Sequence, residues 1–196
     1  MIKKKMNVRT YVLIGMMSSL AYVLMLLKLP LPTFPAFLKL DFSDLPALMT
    51  ALILGPVAGI LVELVKNILD YLVSGSETAV PVGHMANFVA GIAFILPTYF
   101  IYNKLKSKFG MILGLISSAL LMSVVLSVFN YFVLLPVYIT LMGWDPMTSA
   151  EMRAYVISLI LPFNIIKGVI VSVLFMAIYA KMNVWITKQA QYRRVA

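Results

Sequence analysis

Apolar segments long enough to cross a lipid bilayer recur along this 196-residue chain, and they limit the folds that it can adopt. Hydrophobic residues make up 62% of the sequence and charged residues 12%, whereas a soluble globular domain has about 45–50% and 25%. One span needs about 20 apolar residues, so the length allows about six. This pattern predicts an all-α integral membrane protein with six transmembrane helices, and it excludes a nucleic-acid-binding domain with a polar surface.

The predicted spans form a single membrane domain that covers residues 1–196. They lie at about 9–27, 44–54, 57–73, 82–103, 110–139 and 153–187. A basic stretch precedes the first span, as in a signal peptide, but the apolar run is too long and no small-residue cleavage site follows. We therefore expect this helix to be retained. Pro162 predicts an irregular start to the sixth span.

Positive charge is concentrated on one side of the predicted membrane. Eleven of the 16 Lys and Arg residues lie in three clusters without an acidic residue: Lys3, Lys4, Lys5 and Arg9; Lys104, Lys106 and Lys108; Lys181, Lys188, Arg193 and Arg194. The loops on the other side carry more acidic than basic residues. Because Lys and Arg are enriched in cytoplasmic loops, both termini are predicted to be cytoplasmic, which requires an even number of spans.

Four polar residues lie on one face of the third span. Glu63, Lys66, Asn67 and Asp70 are spaced i, i+3, i+4 and i+7, which places them on the same side of a helix. Because a charge at mid-bilayer costs about 2.5–3.5 kcal/mol, we interpret this face as the polar wall of a binding cavity that opens outward. The alternative is a Glu63–Lys66 or Glu63–Asn67 pair that joins two helices and binds no ligand.

Further polar residues occur on other spans, beside many aromatic side chains. They are Asn87, Asn130, Asn164 and Lys167. A single asparagine in a span is more often a contact between helices, but several on different helices suit a flat heteroaromatic ligand with polar edges. We interpret His84, the only histidine, as a helix cap or a surface group.

The sequence provides little for catalysis. It has no cysteine and one histidine, too few ligands for zinc, and neither a nucleophile elbow nor a P-loop occurs. An enzyme acting on lipid head groups is the alternative of another class, with Glu63, Lys66 and Asp70 as acid–base candidates. A purely structural bundle is disfavoured by the buried charges. We predict no enzymatic activity, no metal and no cofactor.

Five motifs occur together in the chain. They are LKLDFSDLP at 38–46, GPVAG at 55–59, ELVKN at 63–67, GHMAN at 83–87 and PFNIIKG at 162–168. In combination they resemble the riboflavin-specific S component, the substrate-binding subunit, of energy-coupling factor (ECF) transporters. The resemblance implies the S-component fold in the cell membrane, high-affinity capture of riboflavin from outside, and ATP-driven uptake with a shared transmembrane coupling subunit and two ATPase subunits. An S component for another vitamin, such as thiamine, is the alternative.

The resemblance also implies which residues hold the vitamin. The expected substrate-binding residues are Leu38, Leu40, Asp41, Glu63, Lys66, Asn67, Asn87, Asn130, Asn164 and Lys167. Asn130, Asn164 and Lys167 are suited to the uracil-like edge of the flavin, and the carboxylates with Lys66 and Asn67 to the ribityl hydroxyls. The apolar loop after the first span is expected to cover the ring system as a lid.

Small residues of the first span are expected to contact the coupling subunit. The resemblance places this surface in the first helix, and here Gly15, Ser19 and Ala21 are the candidates. Gly15 and Ser19 form a small-xxx-small pair that allows another helix to approach closely. Packing inside the bundle is the alternative role for this pair.

Overall fold

The computed structural model describes residues 8–76 and 80–195. Within them, the helices are α1 (Val8–Leu26), α2 (Asp44–Leu54), α3 (Pro56–Ser74), α4 (Val82–Leu105), α5 (Lys108–Phe129), α6 (Leu135–Met142), α7 (Ser149–Tyr155) and α8 (Leu161–Val195), and the strands are β1 (Leu29–Pro30) and β2 (Lys39–Leu40). One π-helical turn, Asn130–Leu134, joins α5 to α6, and another, Val156–Ile160, joins α7 to α8. The basic cluster 3–5 and Glu77 lie outside the described residues.

All six predicted spans are helical. α5 with α6 forms the fifth span and α7 with α8 the sixth. Four segments of the described chain are long and apolar enough to cross a membrane: Val8–Leu26, Val82–Leu105, Lys108–Met142 and Ser149–Ile186. α2 has 11 residues, so at 1.5 Å per residue it covers about 16 Å, half the thickness of the hydrocarbon core. α2 therefore crosses only about half of the hydrocarbon core, and the chain then turns back in α3.

Proline explains where the two long helices change geometry. Pro136 and Pro162 each lie two residues after the end of a π turn. Proline donates no backbone hydrogen bond, and its ring collides with the carbonyl four residues earlier. In both cases that carbonyl, of Phe132 or Ser158, lies inside the π turn, whose wider backbone makes room for the ring. The predicted irregular start of the sixth span is thus a π turn.

Small residues bring the helices into close contact. A β-carbon built on Gly59 would lie 2.7 Å from Ala51 Cβ on α2, and one built on Gly168 would lie 2.7 Å from Ala119 Cβ on α5. Large apolar side chains cover much of the outside of the bundle. Both features are typical of helices packed in lipid, where small residues allow the backbones to approach.

The two ends of the bundle differ. At one end, the segment from Lys28 to Asp41, which we call the strap, forms a hairpin in which Leu29 pairs with Leu40. At the other end lies the turn between α4 and α5 with its exposed Lys104 and Lys106. The strap and the basic turn are therefore separated by the length of the helices.

Gly59→Leu is expected to destabilise the protein, because its side chain would force α2 and α3 apart. Overpacking costs about 1–3 kcal/mol, which lowers the unfolding midpoint by several degrees. The measurement is thermal unfolding in detergent followed by circular dichroism. Gly15→Leu is the matched control, since a β-carbon at Gly15 meets nothing within 4 Å. Equal midpoints for the two variants would contradict the close packing of α2 on α3.

Candidate functional site

A cavity of about 240 Å³ lies at the strap end of the bundle, and its size is on the order of a small-molecule pocket. Its wall comes from the end of α1, the strap, the end of α3, the start of α4, the end of α5 with the following π turn, α6, and the start of α8. Six of the predicted substrate-binding residues line it: Leu38, Asp41, Asn87, Asn130, Asn164 and Lys167. The fold thus brings together residues from four distant parts of the chain.

Asp41 connects the strap to the helices around the cavity. Its Oδ2 lies 3.0 Å from Lys167 Nζ and accepts a hydrogen bond from Asn87 Nδ2 at 3.1 Å. Its Oδ1 accepts hydrogen bonds from the backbone N–H and the hydroxyl of Ser43. Burial alone would raise the pKa of Asp41, but the Lys167 and Lys66 ammonium groups and the Ser43 hydroxyl hold that pKa below its usual value. Asp41 is therefore an ionised anchor in the cavity wall.

Two asparagines face the cavity from the π-turn regions of the long helices. Asn130 Nδ2 donates to the carbonyl of Leu126 at 2.7 Å, and Asn164 Nδ2 donates to the carbonyl of Ile160 at 2.8 Å. Both residues are buried. Asn130 Oδ1 has no hydrogen-bond partner among the described residues, so a buried acceptor is available at the cavity wall.

Aromatic side chains hold the middle of the strap over the cavity. Phe34 packs edge-on against Phe163 with ring centroids 5.4 Å apart. Phe37 contacts Tyr138 at 5.0 Å and Trp144 at 5.7 Å. Phe37, Tyr138 and Phe163 also line the cavity. This part of the wall provides flat apolar surfaces beside the amide groups.

Glu63 and Lys66 lie outside the cavity wall, contrary to the interpretation of that helix face. Lys66 Nζ lies 2.7 Å from Asp44 Oδ1, 2.7 Å from Glu63 Oε2 and 2.6 Å from Ser43 Oγ. Among the described residues no donor forms an aligned hydrogen bond with the Glu63 carboxylate, so the contact with Lys66 is an ion pair held by charge and proximity. Its carboxylate packs so tightly against α4 that a β-carbon on Gly91 would lie 2.3 Å away. For these two residues the arrangement is that of the alternative, an internal ion pair.

Two other predicted binding residues are also buried behind the wall. Asn67 donates from Nδ2 to the Glu63 carbonyl at 2.8 Å and to Asn87 Oδ1 at 3.3 Å. It therefore supports Asn87 and does not face the cavity. Leu40 is buried and pairs with Leu29 in the hairpin. Neither residue belongs to the lining of the cavity.

Asp70 is the one member of the polar face of α3 that lines the cavity. Its Oδ2 accepts from Lys28 Nζ and lies 2.9 Å from His84 Nε2, and its Oδ1 accepts from Ser74 Oγ at 3.0 Å. The His84 ring also packs edge-on against Tyr71. The interpretation of His84 as a cap or surface group is wrong, because only 12% of its side chain is exposed and it contacts Asp70.

Sequence reasoning missed Lys28 and His84 because each lies next to a break in the helical pattern. Lys28 follows the first apolar run and His84 begins the fourth, at positions typical of surface groups. The available signal was their position along the helices: both belong to the strap end of the bundle, level with Asp70 near the end of α3. Charges of opposite sign at one depth on neighbouring helices predict a contact.

The chain matches the model of the family described as ECF transporter, substrate-specific component, over residues 6–179. It belongs to this family. Riboflavin transporter FmnP of Bacillus subtilis (strain 168) is 44% identical over 184 residues, which are 94% of this chain and 97% of that protein. Riboflavin transporter RibU of Staphylococcus aureus (strain TCH60) is 42% identical over 183 residues, covering 92% and 95%.

A solved structure supports the same relationship. It is described as "Structure and mechanism of the S component of a bacterial ECF transporter", and it superposes on this chain with a TM-score of 0.77 at 44% identity, covering 90% of this chain and 96% of that one. The protein is thus an S component, a transport subunit and not an enzyme. In the part of the chain that the structure describes, no group of three or more His, Cys, Asp or Glu is placed to hold a metal ion.

The first helix of this S component exposes two of its three small candidate residues. Gly15 and Ser19 are exposed on α1, and the Ser19 hydroxyl donates to the Gly15 carbonyl at 3.0 Å. Ala21 is fully buried, because it lies on the face of α1 that packs into the bundle. Its assignment to an outer contact surface is corrected accordingly.

Lys66→Met in this S component is expected to lower the free energy of unfolding by about 3–5 kcal/mol, because it leaves the carboxylates of Asp44 and Glu63 buried with one partner fewer. The measurement is thermal unfolding in detergent followed by circular dichroism. Lys104→Met, at an exposed lysine, is the control and is expected to leave the midpoint unchanged. A Lys66→Met midpoint equal to that of the control would show that the buried ion cluster contributes nothing to stability.

Proposed function

We propose that this S component binds riboflavin in the strap-end cavity and delivers it to an ECF transporter for uptake. The relatives FmnP and RibU are named riboflavin transporters, which supports riboflavin as the ligand. The observation that carries the site is the meeting of Asn130, Asn164 and Lys167 with aromatic side chains in one cavity. A planar ligand with a polar edge requires this combination.

The chemistry of riboflavin matches the cavity. Its ring system is flat and uncharged, and its uracil-like edge alternates hydrogen-bond donors and acceptors. Two carboxamides and an ammonium group present both donors and acceptors, and the free Oδ1 of Asn130 accepts from a ring N–H. Phe37, Tyr138 and Phe163 cover the faces of the ring. We assign the flavin ring to this part of the cavity.

The ribityl chain needs polar partners along the remaining wall. Asp41 and Asn87 line the cavity and provide carboxylate and amide groups for hydroxyls. In this proposal three side chains behind the cavity wall do not reach the ligand but hold Asp41 and Asn87 in place. They are Glu63, Lys66 and Asn67. Leu40 supports the strap in the same manner, through its pairing with Leu29.

Riboflavin is favoured over thiamine, because the relatives FmnP and RibU are both named riboflavin transporters. Thiamine carries a permanent positive charge on its thiazolium ring, whereas Asp41, the carboxylate proposed to contact the ligand, is already paired with Lys167. A neutral flavin needs no such counter-charge.

The orientation follows from the two ends of the bundle. The exposed lysines of the α4–α5 turn mark the cytoplasmic side under the positive-inside rule, and the cavity lies at the opposite end. Both termini are therefore cytoplasmic, and the cavity faces outward. The partners are a shared transmembrane coupling subunit, which contacts the Gly15–Ser19 face of α1, and two ATPase subunits that supply the energy.

The purified protein is expected to be yellow or to become yellow with added riboflavin, since bound flavin absorbs blue light. The measurement is the visible absorbance spectrum in detergent, with quenching of riboflavin fluorescence as a second readout. Thiamine added in excess is expected not to displace the flavin. A folded, colourless protein that fails to quench riboflavin fluorescence would refute the proposed ligand.

Asn164→Ala and Lys167→Met are each expected to weaken riboflavin binding at least about tenfold, because each removes hydrogen bonds to the polar edge of the ring. The measurement is a fluorescence titration on variants whose unfolding midpoint is recorded in parallel. Lys181→Met is the matched control on α8, at an exposed position about 21 Å along the helix from Lys167. Unchanged riboflavin affinity in both cavity variants would show that the vitamin binds at another place in the protein.

Gly15→Leu is expected to reduce riboflavin uptake while leaving binding intact, because it blocks close approach of a helix to α1. Uptake is measured in cells that carry the coupling and ATPase subunits, and binding on the purified protein. Val128→Leu is the control, since Val128 is a lipid-facing residue of α5 that is 53% exposed. If Gly15→Leu abolished binding, α1 would belong to the ligand site and not to the docking surface.

A further inference from the structure

The strap is held at each end by a contact between a lysine and an aspartate, and the two contacts differ in burial. At its C-terminal end, Asp41 meets Lys167 on α8, and the two side chains are 4% and 6% exposed. At its N-terminal end, Lys28 meets Asp70 on α3, and 27% of the Lys28 side chain is exposed. The aromatic contacts of Phe34 and Phe37 lie between these ends. The strap thus has one buried end and one that reaches solvent.

Opening the buried end leaves charges without compensation. Asp41 and Lys167 belong to one cluster with Asp44 and Lys66, and a buried ion deprived of its partner costs several kcal/mol. Ser43 and Asn87 also bind the Asp41 carboxylate. This end is therefore fixed to the bundle.

Opening the other end costs less, although the Asp70 side chain is itself buried. When Lys28 withdraws, Asp70 keeps the hydrogen bond from Ser74 on α3 and the contact with His84 on α4, neither of which belongs to the strap. The Lys28 ammonium is already in reach of water, which solvates it after release. The free energy needed to separate Lys28 from Asp70 is therefore smaller than that needed to separate Asp41 from Lys167, whose side chains are both buried.

We propose that the Lys28–Asp70 contact is the releasable latch of the strap, and that it sets the rate at which the vitamin enters and leaves the cavity. His84 is a positioning residue, because its Nε2 and its packing on Tyr71 hold the Asp70 carboxylate toward Lys28. The inference extends the proposed function, since it assigns the gate of the proposed riboflavin site. The strap swings about its Asp41 end when the latch opens.

A latch has a kinetic signature that a ligand contact lacks. The Lys28–Asp70 contact joins two protein groups in the closed strap with or without the vitamin, so it disfavours opening equally in both states. Its removal raises the association and dissociation rates by the same factor and leaves their ratio, the Kd, nearly constant. A residue that bound the vitamin would change mainly the dissociation rate and the Kd.

Stopped-flow riboflavin fluorescence on the full-length protein tests this signature. Lys28→Met is expected to raise both rates about fivefold or more, with a Kd shift below about twofold. Asp70→Asn is expected to act in the same direction, and the double variant to be no faster than either single variant, because both remove one contact. Lys104→Met is the matched control for the loss of a lysine charge.

A second measurement follows strap opening without any ligand. The natural chain contains no cysteine, so Ala90→Cys places one thiol in the buried part of the cavity wall. Its reaction with a water-soluble maleimide is expected to speed up by the same factor in the Lys28→Met background. The thiol of Ser149→Cys, at an exposed position, is expected to react at an unchanged rate.

The outcomes separate the latch from the proposed function. Equal labelling and exchange rates in the wild type and in Lys28→Met would overturn the latch, and so would a weakened Kd at unchanged association rate. A wild-type protein that fails to bind riboflavin would overturn the proposed vitamin, while the labelling experiment still decides the latch. Since Lys28 is partly exposed, Lys28→Met keeps the test valid if Asp70→Asn fails to fold.

Discussion

The buried ion pair between Asp41 and Lys167 is the interaction on which the rest of the structure depends. Each charge alone would be costly inside a membrane protein, so the strap that carries Asp41 cannot leave α8 without a large penalty. Ser43 and Asn87 bind the same carboxylate and add the start of α2 and α4 to this junction. One carboxylate thus fixes the relative positions of the strap and three helices around the cavity.

The need to compensate every buried polar group divides the polar residues of the interior into two groups. Where open space adjoins a polar group, as at Asn130 and Asn164, the group is available to a ligand. Where a neighbouring backbone fills that space, as Gly91 does beside Glu63, the group only balances another charge. Whether a buried polar residue binds or stabilises therefore depends on what lies opposite, more than on its residue type.

This dependence on the neighbouring space explains how much of the fold and of the binding site the sequence predicts. Hydropathy places the four long spans because lipid imposes a minimum length of apolar chain, and the break at Gly55 and Pro56 separates α2 from α3. Periodicity correctly puts Glu63, Lys66 and Asp70 on one face. Periodicity does not reveal whether a face meets a cavity or a packed helix, so Glu63 and Lys66 were expected in the wall. The contacts of Lys28 and His84 with Asp70 are not predicted, because periodicity relates only residues of one helix, and Asp70 is 42 residues from Lys28 and 14 residues from His84.

Two prolines determine the backbone geometry beside the cavity. Pro136 and Pro162 each require a wider turn just before them, and the asparagines next to these turns are two of the proposed ligand groups. Each asparagine uses its side-chain N–H to bind a carbonyl of its own helix, which fixes the orientation of the carboxamide before any ligand arrives. Preorganised polar groups bind more tightly because less entropy is lost on binding. The wider turns that the prolines require therefore place recognition groups beside the cavity, while the ion pair holds the strap that covers them.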